Sequence, residues 1–173
     1  GILLGLIAAC MMMQPLSTDL YLATLPHLAT YFDASPALVQ QTLSSFVIAF
    51  GTAQLVVGPL SDRFGRRPVL LAGFAIYFVA SLACTLAPTI GVLIAGRFAQ
   101  ALGACCTVLV ARAVVRDAYT PEDGAHILAK ASSVLSAAPL LGPILGSYLQ
   151  VAFGWRAAFV ALTAYSVAAG FAV

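Results

Sequence analysis

Gly58-Pro59-Leu60-Ser61-Asp62-Arg63-Phe64-Gly65-Arg66-Arg67-Pro68-Val69-Leu70-Leu71 is the densest charge cluster in a chain otherwise almost free of charge. Asp62, Arg63, Arg66 and Arg67 fall between two long apolar runs. Gly65 lets the backbone turn at little steric cost. Pro68 suits the first turn of a following helix. Each of these charges would cost roughly 2.5–3.5 kcal/mol at the centre of a bilayer. The stretch is therefore expected as a loop over 61–68 at a membrane face, and the remaining topology hangs from it.

The composition agrees. The 173 residues are 62% hydrophobic and 8% charged, with a mean hydropathy of +1.02. A soluble domain is nearer one quarter charged. The sequence reads as an all-α polytopic membrane protein, with the lipid bilayer as its expected partner. No basic stripe lies outside the apolar segments, which excludes nucleic acid. Cys10, Cys84, Cys105 and Cys106 all lie in apolar runs without metal-ligand or disulfide spacing, so they read as small buried hydrophobes. No metal site or organic cofactor is expected. Gly1 and Val173 both stand in apolar runs, and the chain reads as an excerpt of a longer polypeptide.

Spans of about 20 residues cross ~30 Å of hydrocarbon at ~1.5 Å per residue. Six fit, at about 2–28, 37–60, 69–87, 90–115, 125–151 and 157–173. Ser35-Pro36 and Thr120-Pro121 each offer an N-cap followed by a first-turn proline. Phe153-Gly154-Trp155 reads as a tight turn with an interfacial aromatic.

Arg63, Arg66 and Arg67 share one face with Arg112, Arg116 and Lys130, while Arg156 stands alone on the other. The positive-inside rule puts the richer face, and both ends of the six-span unit, in the cytoplasm. Gly58-Pro59 followed by Phe64-Gly65-Arg66-Arg67 is echoed by Gly142-Pro143 followed by Phe153-Gly154-Trp155-Arg156. Three spans separate the copies, so they fall on opposite faces, as in an inverted three-plus-three repeat.

Asp19 stands about eight residues from the outer end of the first span, ~12 Å deep. A carboxylate is costly at that depth, so Asp19 is either a proton carrier or a structural acid held by hydrogen bonds. Arg97 lies at matching depth in the fourth span, with Gln100 on the same helix face. A guanidinium keeps its proton and needs a partner. An Asp19–Arg97 pair, direct or bridged by water, is expected; the alternative is a structural lock between helices. Tyr21 points elsewhere around the first helix. Phe46 and Phe50 read as packing or lipid-facing residues. Arg116-Asp117 closes the fourth span beside Asp62, Arg63, Arg66 and Arg67, as a breakable charge network or a solvated patch. In the fifth span, Pro139 and Pro143 bend the helix, and Gly142 and Gly146 form a face for close approach. No nucleophile–base pair appears, so an enzyme is not expected.

Together these stretches resemble the major facilitator superfamily. Gly58 to Leu71 looks like its loop signature G-x-L-a-D-r-x-G-r-[RK], with Ser61 at the small position. Gly96-Arg97-Phe98-Ala99-Gln100-Ala101-Leu102-Gly103 looks like the fourth-helix motif R-x-x-Q-g-x-g, with Ala101 replacing a glycine. Gly142-Pro143-x-x-Gly146 looks like the antiporter motif G-P-x-x-G-G, departing at Ser147. Ser17-Thr18-Asp19-Leu20-Tyr21-Leu22-Ala23-Thr24-Leu25-Pro26 is similar to the first helix of the bicyclomycin-resistance type drug:proton antiporters, and Val114-Val115-Arg116-Asp117 also fits that group.

The resemblance implies twelve helices in two halves, with this chain matching the N-terminal half and a C-terminal six-helix half as partner. It implies an inner-membrane exporter that exchanges a drug-like small molecule for protons by alternating access. Asp19, Tyr21, Arg97 and Gln100 would lie on the proton and substrate pathway. Gly58, Asp62, Arg63, Gly65, Arg66, Arg67, Arg116 and Asp117 would form a conformational latch, and Gly142, Pro143 and Gly146 a seal. The rival expectations are a transporter of sugars or metabolites, and a half that does not transport alone.

Overall fold

The computed structural model describes residues 2–172. They form helices only: α1 (Ile2–Leu22), α2 (Leu25–Tyr31), α3 (Pro36–Phe64), α4 (Arg66–Thr85), α5 (Ile90–Ala118), α6 (Pro121–Leu135), α7 (Ala138–Phe153) and α8 (Arg156–Phe171). By length and composition, α3, α4, α5 and the α6–α7 pair can each cross a bilayer, and α1 with α2 makes a fifth, bent span. At 16 residues, α8 is apolar but shorter than a standard span. The expected sixth span therefore starts at Arg156 and ends at Phe171, with Val173 outside the described residues.

One span is broken and another is interrupted where the sequence suggested continuity. The first bends by 58° between Leu22 and Leu25. Pro26 opens α2 and lacks the N–H needed to continue α1's ladder. The Thr24 amide instead donates to the Tyr21 carbonyl at 2.9 Å. The fifth carries two turn residues, Ser136 and Ala137, just before Pro139 in the first turn of α7, but runs on as one span of 33 residues.

The expected loop over 61–68 is a one-residue corner. α3 runs through Asp62 and Arg63 to Phe64, and α4 begins at Arg66. Gly65 alone turns the chain, at φ 91°. Gly154 makes the same kind of corner between α7 and α8, at φ 82°. A side chain is disfavoured at both angles. The echo read in the sequence is thus an echo of backbone shape. The caps also form as expected: Ser35 accepts from the Leu38 amide at 3.4 Å, and Thr120 from the Asp123 amide at 3.3 Å.

Helix α5 is central, packing on α3, α4 and α1. The second span packs on the fourth as the fifth packs on the first, through α3·α5 and α1 with α6 and α7. The third meets the fourth as the sixth meets the first, through α4·α5 and α1·α8. The third and sixth pair with each other, as do the first and fourth. Exchanging the two three-span units leaves this map unchanged, as an inverted repeat requires. Glycines set the closest approach: a Cβ on Gly103 of α5 would stand 2.6 Å from the Tyr77 amide nitrogen of α4.

Candidate functional site

Helix α1 presents two chemically different faces. Ser17 and Tyr21 lie one turn apart and share a face. The Ser17 hydroxyl hydrogen-bonds the Tyr77 hydroxyl of α4, and the Tyr21 hydroxyl bonds that of Thr42 on α3. Asp19 is two residues from each, about 200° around the helix at 3.6 residues per turn. It faces α7, where a Cβ on Gly142 would come within 2.4 Å of the Asp19 Cβ. Its Oδ2 is buried and has no hydrogen-bond partner.

Arg97 is fully buried in α5. Its guanidinium carbon lies 4.4 Å from the Tyr21 ring centroid and 4.3 Å from that of Phe46. Two aromatic faces thus hold the cation between α1 and α3. A desolvated cation–π contact contributes about 2 kcal/mol or more. Nη1 donates to Gln100 Oε1 at 2.5 Å, and Gln100 Nε2 donates to Ser81 Oγ at 2.7 Å. Arg97 Nε and Nη2 are buried without partners.

The expected direct Asp19–Arg97 pair does not form. Among the described residues, the ion pairs within 4 Å all involve Arg66 or Arg116 with Asp62 or Asp117. Helical phase is the reason: Tyr21, not Asp19, faces α5. Phe46, read as a packing or lipid-facing residue, is one jaw of the Arg97 sandwich and stacks on Phe50 at 6.3 Å. A signal for it existed: Thr42 and Phe46 lie one turn apart, so both were bound to share a face of α3.

At the basic face Arg66 gathers three acceptors. Its Nε donates to Asp117 Oδ2 at 2.8 Å, and its Nη1 to Asp62 Oδ1 at 2.6 Å and to Ser61 Oγ. Asp117 first, then Asp62, holds the Arg66 pKa above its ordinary value. Arg66 thereby ties the ends of α3 and α5 to the start of α4. Arg116 only reaches Asp117 at 3.9 Å. Arg63 lies over the Phe64 ring at 5.5 Å, Arg67 is exposed and Gly58 is half-buried. A cavity of about 680 Å³ opens beside them, lined by Gly58, Asp62, Arg66, Arg112, Arg116 and Tyr119 among others.

At the opposite face Arg156 donates to the Thr85 carbonyl at 2.9 Å and to the Tyr31 hydroxyl at 3.0 Å. Trp155, expected at the interface, is buried against Tyr31, Phe32 and Phe159. The bend into α2 brings Tyr31 and Phe32 to it. All four cysteines are buried free thiols.

A bundle of apolar helices with ionisable groups held inside it, and charged corners at its faces, defines a multi-pass membrane protein. The chain belongs to the major facilitator superfamily, whose family model matches residues 7–173. It is similar to the multidrug resistance protein MdtL of Escherichia fergusonii, at 34% identity over 160 residues, 92% of this chain and 41% of the relative. MdtL of Shigella flexneri serotype 5b matches at the same identity and coverage. The chain spans about two-fifths of the length of these curated relatives. The in meso crystal structure of the POT family transporter PepTSo matches 98% of this chain and 36% of its own, with a TM-score of 0.77 at 20% identity. That likeness concerns the fold. The family is one of transporters rather than enzymes, as the residues suggested.

Proposed function

We propose that this chain is the N-terminal half of a proton-coupled multidrug exporter that works by alternating access. The exporter lies in the inner membrane with both ends of the six-span unit in the cytoplasm. A drug-like small molecule leaves as protons enter, and the proton is the coupling ion in place of any cofactor. A C-terminal half completes the central cavity.

The observation that carries this reading is Asp19: an acid inside the first span, with one carboxyl oxygen buried and unpartnered. An ion there is costly unless paired, whereas a protonated carboxyl is tolerated. An acid that gains and loses its proton as its surroundings change is what exchange requires. The name of the similar MdtL proteins, multidrug resistance protein, supports the drug substrate. Arg97, a fixed cation between the first, second and fourth spans, is the cationic anchor of the pathway. The Arg66 cluster sets the relative stability of the two conformations, and α7 seals the pathway.

The test is drug efflux by the full-length protein carrying Asp19→Asn. Active efflux is expected to be lost while the protein still reaches the membrane. Undiminished efflux driven by a proton gradient would end the proton role.

A further inference from the structure

The corner opposite the Arg66 cluster is built to the same plan. Arg66 follows the Gly65 corner and donates to Asp117, in the last turn of the fourth span. Arg156 stands two residues past the Gly154 corner and donates to the hydroxyl of Tyr31, the last residue of α2, where the first span ends. Exchanging the two three-span units exchanges the two ties. Arg156 reaches further still. Its Nε donates at 2.9 Å to the Thr85 carbonyl, a helix-end acceptor that α4 cannot satisfy by itself. Its guanidinium carbon lies 4.6 Å from the Trp155 ring centroid and 5.1 Å from that of Tyr31. One side chain thus clamps together an end of the first, third and sixth spans.

Behind the clamp runs an unbroken column of rings. Trp155 meets Phe159 with centroids 6.1 Å apart, and Phe159 meets Tyr21 at 5.6 Å. The Tyr21 ring is the face that covers Arg97 at 4.4 Å, and Phe46 covers the other side at 4.3 Å. Trp155, Phe159 and Tyr21 are all buried. Close-packed rings leave no slack, so one cannot shift without moving the next. The column therefore has a cation at each end, Arg156 at the face of the bundle and Arg97 inside it. Coupling also needs an element that can change place. Helix α2 is that element: seven residues, bent by 58° from α1. A helix so short is held by its tertiary contacts rather than by its own hydrogen bonds.

We propose that Arg156 is a positioning residue for Arg97: it clamps the bent end of the first span, and Trp155, Phe159 and Tyr21 carry that hold to the buried cation. This rests on Arg97 being the cationic anchor of the pathway. The clamp reports the state of its face of the bundle to the interior. With α2 held, Tyr21 is pressed on Arg97; with α2 released, the column relaxes and Tyr21 draws back from the cation.

The test uses the full-length protein in detergent with para-fluorophenylalanine carried at position 46, read by fluorine NMR. That ring lies on the far side of Arg97 from the column. Arg156→Met is expected to displace its resonance by more than a line width. Tyr31→Phe removes one hydroxyl and keeps the ring, so a smaller displacement in the same direction is expected; this variant decides should Arg156→Met fail to reach the membrane. Phe159→Leu interrupts the column, so adding Arg156→Met to it is expected to leave the resonance where Phe159→Leu alone puts it. An unmoved resonance in the folded clamp variants would overturn the proposal, as would an equal displacement with Phe159→Leu present. A tie that only stabilises its own corner lowers the melting temperature without moving a ring beyond Arg97. The fluorine signal reads positioning and efflux by Arg97→Met reads the pathway role, so either can fail without the other.

Discussion

Arg97 is the residue on which physical chemistry bears hardest. A buried charge normally comes with an opposite charge, since removing it from water costs several kcal/mol. Here two aromatic faces and one amide oxygen stand in for the anion. Each is weaker than a carboxylate, so the site is under-compensated. Arg97→Met keeps the length of the side chain and removes the charge. It is expected to raise thermal stability in detergent by about 1–2 kcal/mol, because apolar replacements of buried charges are often stabilising, and to abolish drug efflux. A melting temperature several degrees lower would show instead that the cation is a structural lock. The sequence placed Asp19, Arg97 and Gln100 within long apolar helices, because position follows from counting along a span. It did not reveal their partners. Whether Asp19 or Tyr21 faces α5 depends on helical phase, which hydrophobicity fixes poorly when every side of a helix is apolar.

Elements in this bundle are held by close approach more than by greasy volume, as expected where lipid is as apolar as the interior. Gly103 and Gly73 bring α4 and α5 together: a Cβ on Gly73 would lie 2.5 Å from that of Cys106. Gly103→Ala is expected to cost about 1–3 kcal/mol, the usual price of overpacking. Gly51→Ala, in open space on α3, should be neutral or stabilising by up to ~1 kcal/mol through helix propensity. Thermal melting of both variants in detergent checks the order, and a Gly103→Ala protein as stable as Gly51→Ala would refute it. Span positions were legible from runs of apolar residues, and caps from Ser35 and Thr120. The break at Leu22–Leu25 and the turn at Ser136–Ala137 were not. Prolines at Pro26 and Pro139 announced weakness, but whether a membrane helix bends or parts there depends on the packing around it. The corner at Gly65 was misread as a loop because charge marks a membrane face, not the end of a helix.

For the whole molecule, the distribution of arginines predicts an orientation that can be measured. The four native cysteines are buried, so single cysteines placed at the exposed Pro88 and Glu122 positions can be read without removing them. Pro88→Cys is expected to react with an impermeant maleimide added outside intact cells, and Glu122→Cys only after permeabilisation; the reverse pattern would invert the topology. The Arg66 cluster contributes little to overall stability. Its partners are about half exposed, and exposed ion pairs contribute about 0–1 kcal/mol each. Such weak ties suit a contact that forms and breaks during each cycle. The two glycine corners bear on the same motion in a different way. Each of these elbows is a single residue, with only its φ and ψ to yield. Tilt in α3 is therefore handed almost whole to α4, and tilt in α7 to α8, as along a bell crank. The frame yields instead at Leu22–Leu25, where the first span turns by 58° within one turn of Asp19, so its one open elbow sits next to its most sensitive acid.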